Sequence, residues 1–469
     1  MSSKRTLVVG VLEPLHPDSL DPYDSLDFVS MAVADQMYER PYVATASEKP
    51  EPQLFTQRLT TSGSRLVAQL RPTATFSDGS PVTSLDVVRS LSATGLITRF
   101  ADIEAGPDGI GFRPRGFSGS LEHELSKPWC AISKRVAGRP TGSGPFALDP
   151  QMRGEDVALV RNEHYDGKPA WFERVELRCF ARRGGVDGLC DAMLAGDVHL
   201  TWALDRTTSE RLSGLRRSFQ PGDGTAMLWF NTDRLRDGRV RRALCSAIDR
   251  YAITQSSYSN PAAFTARAAL PPRMGSARDN HRYDPEAARE LLRQAEFGDR
   301  RLNMLVIWGT RGYLPDPMGW AKEIQRQLAQ VGLQVELEQT KDPVDYQRQI
   351  RANRYDLLLG GWSADTNDPA DFLEALLDSA FVPAAGDNRA AGCNFGRWAN
   401  RSTDQALVRF RRERSDKNEA AVLDTIREDP PFLALAYGPA VIVHTWDLQG
   451  VVARRSAYLE VDLADLSRR

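Results

Sequence analysis

The chain has 469 residues, 41% of them hydrophobic, which is enough to bury a large core and to divide into more than one domain. Its 60 basic and 62 acidic residues nearly cancel, and no basic block interleaved with aromatics occurs, so a nucleic-acid surface and a polybasic membrane patch are both excluded. The expected partner is a small molecule or a protein.

The amino-terminal "MSSKRTLVVGVLEPLHPDSLDP" carries an apolar stretch, Thr6 to Leu12, too short and interrupted for a signal-peptide core. Neither a small-residue cleavage site nor a lipid-acceptor Cys follows it. Taken as it stands the chain reads as cytoplasmic, or as extracytoplasmic if an export signal has been removed. No membrane span is expected, because no apolar run is long enough. Cys130, Cys179, Cys190, Cys245 and Cys393 are widely spaced and odd in number, unlike a disulfide framework or a zinc cluster.

Strand and helix patterns alternate along the chain, which predicts an α/β fold. "TLVVGVL" is a short buried strand. Residues 53–75 predict a hairpin, with Leu66, Ala68 and Leu70 alternating with polar neighbours beyond the turn-like "TSGS". Thr83 and Asp86 form a capping box ahead of a helix. In 239–250, Val240, Ala243, Leu244, Ala247 and Ile248 recur at helical spacing as one buried face. Asp284 and Pro285 open a further helix, with Ala288, Leu291, Leu292 and Ala295 facing inward and Gly298 near its stop. "NMLVIWG", "MGWAKEIQRQLAQVG" and "LQVELEQ" then read as a βαβ unit, and "YDLLLGGW" as another buried strand.

That strand leads into "GGWSADTNDPADF". Asp368 before Pro369 opens a helix, and Asp371 adds charge to its first turn, where the helix dipole favours an anion. Asp365 is not explained by the cap. Its carboxylate either binds its own loop or faces a ligand.

The ordered set "FSDGSPVTSLDVVRSL", "TGSGPF", "RNEHYDGKPAWFERVEL", "MLAGDVHLTW", "LWFNTD" followed by "RVRRALCSAIDR", "RYDPEAARELL", "YDLLLGGWSADTNDPADF" and "NFGRWANRSTDQAL" resembles the solute-binding proteins of peptide and nickel ABC transporters, the family 5 extracytoplasmic binders. The resemblance runs from about residue 6 to the carboxyl terminus. It implies a two-lobe, type II periplasmic-binding-protein-like fold that closes over its ligand. Lobe I would take residues 1–44 and 149–233, with an inserted subdomain at 45–148. Lobe II would take 234–445, and 446–469 would return to lobe I. The stretches 98–140 and 250–280 are shorter than the family pattern, which puts the entrance loops in doubt.

The dipeptide-binding members place a Trp and, three residues on, an Asp against the ligand's α-ammonium, and Trp362 and Asp365 match those positions. Arg311 stands where they place an Arg on the ligand's carboxylate, and Tyr313 where a Tyr seals it. Read without the resemblance, Arg311 is a surface loop residue and Tyr313 a side chain packed on Pro315. His16, Ser19 and Asp21 fall where the first lobe would face the cleft, or else form turns beside proline.

No catalytic or metal site is expected, and no cofactor. The six histidines are scattered, there is no Gly-rich phosphate loop or G-x-S-x-G elbow, and Cys393 reads as a buried thiol without a neighbouring base. The function implied is capture of a small zwitterionic ligand, an amino acid or short peptide, by a monomer that serves an ABC permease if exported. The alternative is a cytoplasmic enzyme, sensor or carrier of the same fold acting on an amino-acid-like substrate, and fold alone does not separate the two.

Overall fold

The structure, a computed structural model, describes residues 5–469 apart from 13–19, 23–27, 46–48, 94–96, 108, 116–119, 150–155, 203, 205, 259–263, 273, 276–280, 299, 367, 384–392 and 453–460. Its backbone is one mixed sheet whose strands are numbered here in chain order. They are β1 (Thr6–Val11), β2 (Phe146–Leu148), β3 (Val157–Arg161), β4 (Arg174–Cys179), β5 (Leu200–Trp202), β6 (Arg216–Phe230), β7 (Arg301–Val306), β8 (Gln334–Gln339), β9 (Leu357–Ser363) and β10 (Phe432–His444). Across the sheet they run β2-β3-β4-β1-β5-β10-β6-β9-β7-β8.

The first five strands lie together at one end of the sheet. β1 lies parallel between β4 and β5, and its continuous apolar run is explained by burial on both faces. Leu7, Val9 and Val11 enter one apolar cluster, while Val8 enters another with Leu189 and Met193. The predicted βαβ unit forms the far side of the sheet. β7 and β8 pair in parallel around helix Pro317–Gln330, burying Leu333 and Val335 as the alternation requires, and β9 pairs in parallel with β7 on its other side. The helix starts at Pro317 because Asp316 accepts the Gly319 N–H at 2.9 Å.

β6 and β10 join the halves. Their antiparallel pairing runs from Arg216↔His444 in one half to Trp229↔Phe432 in the other, with a register shift between Pro221 and Thr225. A third apolar cluster, from Tyr42 to Ile132, packs around a four-stranded antiparallel sheet and stands apart from the cores of both halves. The predicted hairpin lies there as Thr60–Ser62 against Arg65–Ala68, turning at Gly63 with φ +60°. So does the capping box, in which the Asp86 N–H donates to Thr83 Oγ1 at 3.2 Å and the Thr83 N–H to Asp86 Oδ2 at 2.9 Å.

One expectation is corrected. Residues 239–250 are not one helix: Gly238–Ala247 ends at Ile248 in extended backbone, and Asp249 caps a second helix, Arg250–Gln255, by accepting from the Tyr251 and Ala252 N–H groups. The expected apolar face is buried throughout, and Arg241 and Cys245 are buried with it.

Adjacent strands share a glycine contact that sequence reading left unexplained. A Cβ at Gly361 on β9 would fall 2.2 Å from Tyr313 Cε2, and one at Gly224 on β6 2.2 Å from Tyr313 Cδ1. At Gly438 on β10 it would meet the Tyr313 backbone at 2.3 Å. The three glycines thus let the Tyr313 loop lie against the strands that cross between the lobes. We expect Gly224→Ala to destabilise the protein by about 1–3 kcal/mol, as overpacking does. In urea unfolding, adding Tyr313→Ala should recover most of the Gly224→Ala cost, whereas simple additivity of the two would show that the ring is not the obstacle.

Candidate functional site

The site begins where β9 ends. Leu357, Leu358 and Leu359 are fully buried, Gly360 and Gly361 follow, and Trp362 and Asp365 then emerge at the strand's carboxyl end. Asp368 caps the helix Pro369–Leu377 through the Ala370 N–H at 2.9 Å and is held in turn by Arg414. Since Asp368 supplies the cap, the helix start does not account for Asp365 or Asp371.

Both acids line a narrow cavity of about 30 Å³ between the halves of the molecule. Its second-lobe wall includes Trp362, Asp365, Asp371, Glu374 and Cys393. Its opposite wall comes from the Tyr42–Ile132 segment and consists of Phe100, Glu124, Lys127 and Trp129. Asp365 is only 4% exposed, so a charged group meeting it would do so out of water.

Arg311 and Tyr313 are not among the residues lining this cavity. They lie in the loop after β7, where Arg311 is 5% exposed, which excludes a surface-loop role. Its guanidinium sits 4.8 Å from the Trp308 ring centroid and donates to the Thr310 carbonyl at 2.8 Å. Burial, and then the charges of neighbouring groups, push the Tyr346 hydroxyl up. Trp362 and Asp365 are therefore brought together, and Arg311 and Tyr313 form a neighbouring group. His16 and Ser19 lie outside the described residues. Asp21 is buried and paired with Arg135 at 2.7 Å.

Cys393 is half-buried rather than buried, and desolvation, with the Asp365 carboxylate nearby, pushes its thiol up, away from the thiolate form. Among the described residues no group of His, Cys, Asp and Glu could hold a metal ion, and no helix is long and apolar enough to cross a membrane.

The charges on the opposite wall were not foreseen from sequence. Lys127 Nζ lies 2.9 Å from Glu124 Oε2 and in direct contact with Asp371 Oδ1 across the cavity, while Arg411 pairs with Glu374. Burial acts against the Lys127 ammonium, but Asp371, Glu124 and Glu374 more than offset it and hold its pKa well above the ordinary lysine value. Three carboxyls thus surround two cations. Desolvation first, and then the adjoining Glu124 and Asp371 carboxylates, push Glu374 up to about 8 against the pull of Arg411 and Lys127. Desolvation likewise raises Glu124.

The comparisons with known proteins agree with this architecture. The family model of the bacterial extracellular solute-binding proteins, family 5, matches residues 126–382, more than half of the chain. The chain belongs to this family. It is 29% identical over 347 residues to the peptide transport periplasmic protein SapA of Salmonella typhimurium, covering 70% of this chain and 60% of that protein. A probable di/tripeptide-binding protein of Pseudomonas aeruginosa is 28% identical over 328 residues, covering 66% of this chain and 59% of the relative. The matches thus span less than two thirds of these curated relatives. Among solved structures, the dipeptide-binding protein of Pseudoalteromonas sp. SM9913 in complex with Met-Leu superposes with TM-score 0.86 at 19% identity, covering 99% of this chain and 100% of that one. DppA of Helicobacter pylori in complex with the peptide STSA gives 0.83 at 20%, covering 99% and 98%. The fold is that of the type II periplasmic binding proteins.

The raised Glu374 pKa has a defined sign. An unfolded Glu titrates near 4.5 and the folded one near 8, so the folded state holds the proton more tightly. The resulting stabilisation is complete below the unfolded value and is lost as pH rises through about 8. Glu374→Gln, which keeps an acceptor for Arg411 without the titration, should flatten the fall in melting temperature between acidic and alkaline pH. Parallel pH curves for the two proteins would contradict the assignment.

Proposed function

We propose that the protein is the solute-binding component of a peptide-type ABC transporter, capturing a short peptide or amino-acid-like zwitterion as its two lobes close. The observation that carries this reading is the buried Asp365 carboxylate beside Trp362 on a cavity walled by both halves of the molecule. A desolvated carboxylate gives charge-assisted bonds to a ligand ammonium and rejects an acylated amine, which cannot supply them. The indole of Trp362 adds an apolar wall that also favours a cation.

Closure follows from ligand contacts made to both lobes at once, since only those favour the closed arrangement over the open one. Boundaries near residues 45, 148, 234 and 445 belong to this reading, and the separate apolar cluster of the Tyr42–Ile132 segment supports an inserted subdomain. Such a monomer would work outside the cytoplasmic membrane, consistent with the family's extracellular description, and would hand its ligand to a permease. Arg311 and Tyr313 enter the reading as the carboxylate-binding side. Arg311 is buried in the loop after β7, so a ligand carboxylate that reached it would pair with it out of water.

Two measurements test this. Asp365→Asn should weaken binding of a free-amine dipeptide by about 2–5 kcal/mol in calorimetric titration, the usual cost of leaving a buried charge unpaired. Its melting temperature should hardly move, because the adjacent cap is Asp368; equal affinities would remove Asp365 from the site. In a series of peptides with matched end groups, each added residue carries the carboxylate about 3.3–3.6 Å farther from the ammonium. One- and two-residue ligands should bind tightest if Arg311 is the stop, and a preference for longer members would exclude it from that role.

A further inference from the structure

Among the described residues Lys127 is the one basic side chain on the cavity wall, and its partners come from both halves of the molecule. Glu124, one turn before it, and Asp371, across the cavity, flank its ammonium, and the Trp129 ring centroid lies 5.4 Å away. Lys127 is 4% exposed, Glu124 6% and Asp371 8%, so these charges meet out of water. Asp371 is also aimed: its second oxygen accepts from Thr366 Oγ1 at 3.0 Å, and that hydroxyl accepts the Asp368 N–H at 3.1 Å. Two opposed carboxylates and an indole face are what would recognise an alkylammonium ion.

Resting on the reading of this cavity as the ligand site, we propose that Glu124, Asp371 and Trp129 form an ammonium subsite that Lys127 fills with its own side chain, making Lys127 the residue that sets ligand charge. A tethered ammonium outcompetes a free one by its high local concentration. A ligand with a single ammonium at Asp365 is accepted. A ligand that brings a second cation must displace Lys127 or lie beside it, and both routes are unfavourable because like charges in a desolvated site repel strongly. Cationic side chains are therefore selected against by a residue that need not touch the favoured ligand.

The first test needs no knowledge of the natural ligand. Lys127→Ala should lower the melting temperature, and n-butylammonium chloride should raise it again saturably, while leaving the unsubstituted protein where an equal concentration of sodium chloride leaves it. Equal shifts in both proteins would overturn the subsite. The second test uses Lys127→Met, which keeps the apolar stem, and titrates Ala-Ala and Ala-Lys into both proteins. The preference for Ala-Ala over Ala-Lys should move towards Ala-Lys by about tenfold or more, since the variant leaves buried carboxylates unpaired for the ligand's cation to meet. A common loss factor for both dipeptides would mean that Lys127 only ties the lobes together, and the proposal would fall. Butylammonium rescue with no binding of either dipeptide to the unsubstituted protein would leave the ammonium subsite standing and remove the peptide reading of the cavity.

Discussion

The antiparallel pairing of β6 with β10 is the constraint on which the rest of the molecule depends. These two strands carry a backbone hydrogen-bond ladder from one half to the other, so strands on either side are referred to a common frame. The ladder loses register between Pro221 and Thr225, between the stretch where β10 pairs with β5 and the stretch where β6 pairs with β9. A bulge of this kind bends the strand and leaves local hydrogen bonding incomplete, and it allows two rigid bodies to change their angle without unfolding either. Gly224 and Gly438 lie beside this irregularity, with the Tyr313 loop packed directly on them. The β7 loop therefore contacts the crossing strands and carries Arg311, so a change at one is felt at the other.

Where the halves meet, the interface buries charge. Lys127, Glu124, Asp371 and Glu374 are all nearly inaccessible, and Arg411 supports Glu374 from behind. A buried ion pair is weak evidence for stability, because the desolvation cost takes back most of the attraction. Its worth here is geometric, since the Lys127–Asp371 contact joins the Tyr42–Ile132 segment to the second lobe. Beside it, burial and the adjoining carboxylates push Glu374 up to about 8.

The legible features were the local ones. Thr83 with Asp86, Asp284 with Pro285 and Asp368 with Pro369 each settle a helix start within four residues, and all three caps form as their spacing predicts. Asp365 stood out for a related reason: once Asp368 accounts for the helix, a carboxylate at a strand end still needs explaining. The illegible features are those whose cause lies far along the chain. Lys127 in "SKPWC" looks like a solvated lysine, and only folding brings Asp371 to it. Gly360 and Gly361 fall within the strand that "YDLLLGGW" predicts, but why both are glycine shows only in the fold, where the Trp229 and Tyr313 side chains occupy the space that side chains of their own would need. The break at Ile248 was missed because Asp249 continues an apparently helical pattern while its side chain caps the next helix.

The proposed function requires that a ligand's ammonium lie on Asp365 between the two lobes. A crystal structure of the protein grown with the ligand that co-purifies with it, identified by native mass spectrometry, tests this most directly. The account predicts an unmodified zwitterion enclosed between Trp362 and the Phe100–Trp129 wall, with its amino nitrogen hydrogen-bonded to the Asp365 carboxylate. A ligand held elsewhere, or one in this cavity whose amine makes no contact with Asp365, would contradict it.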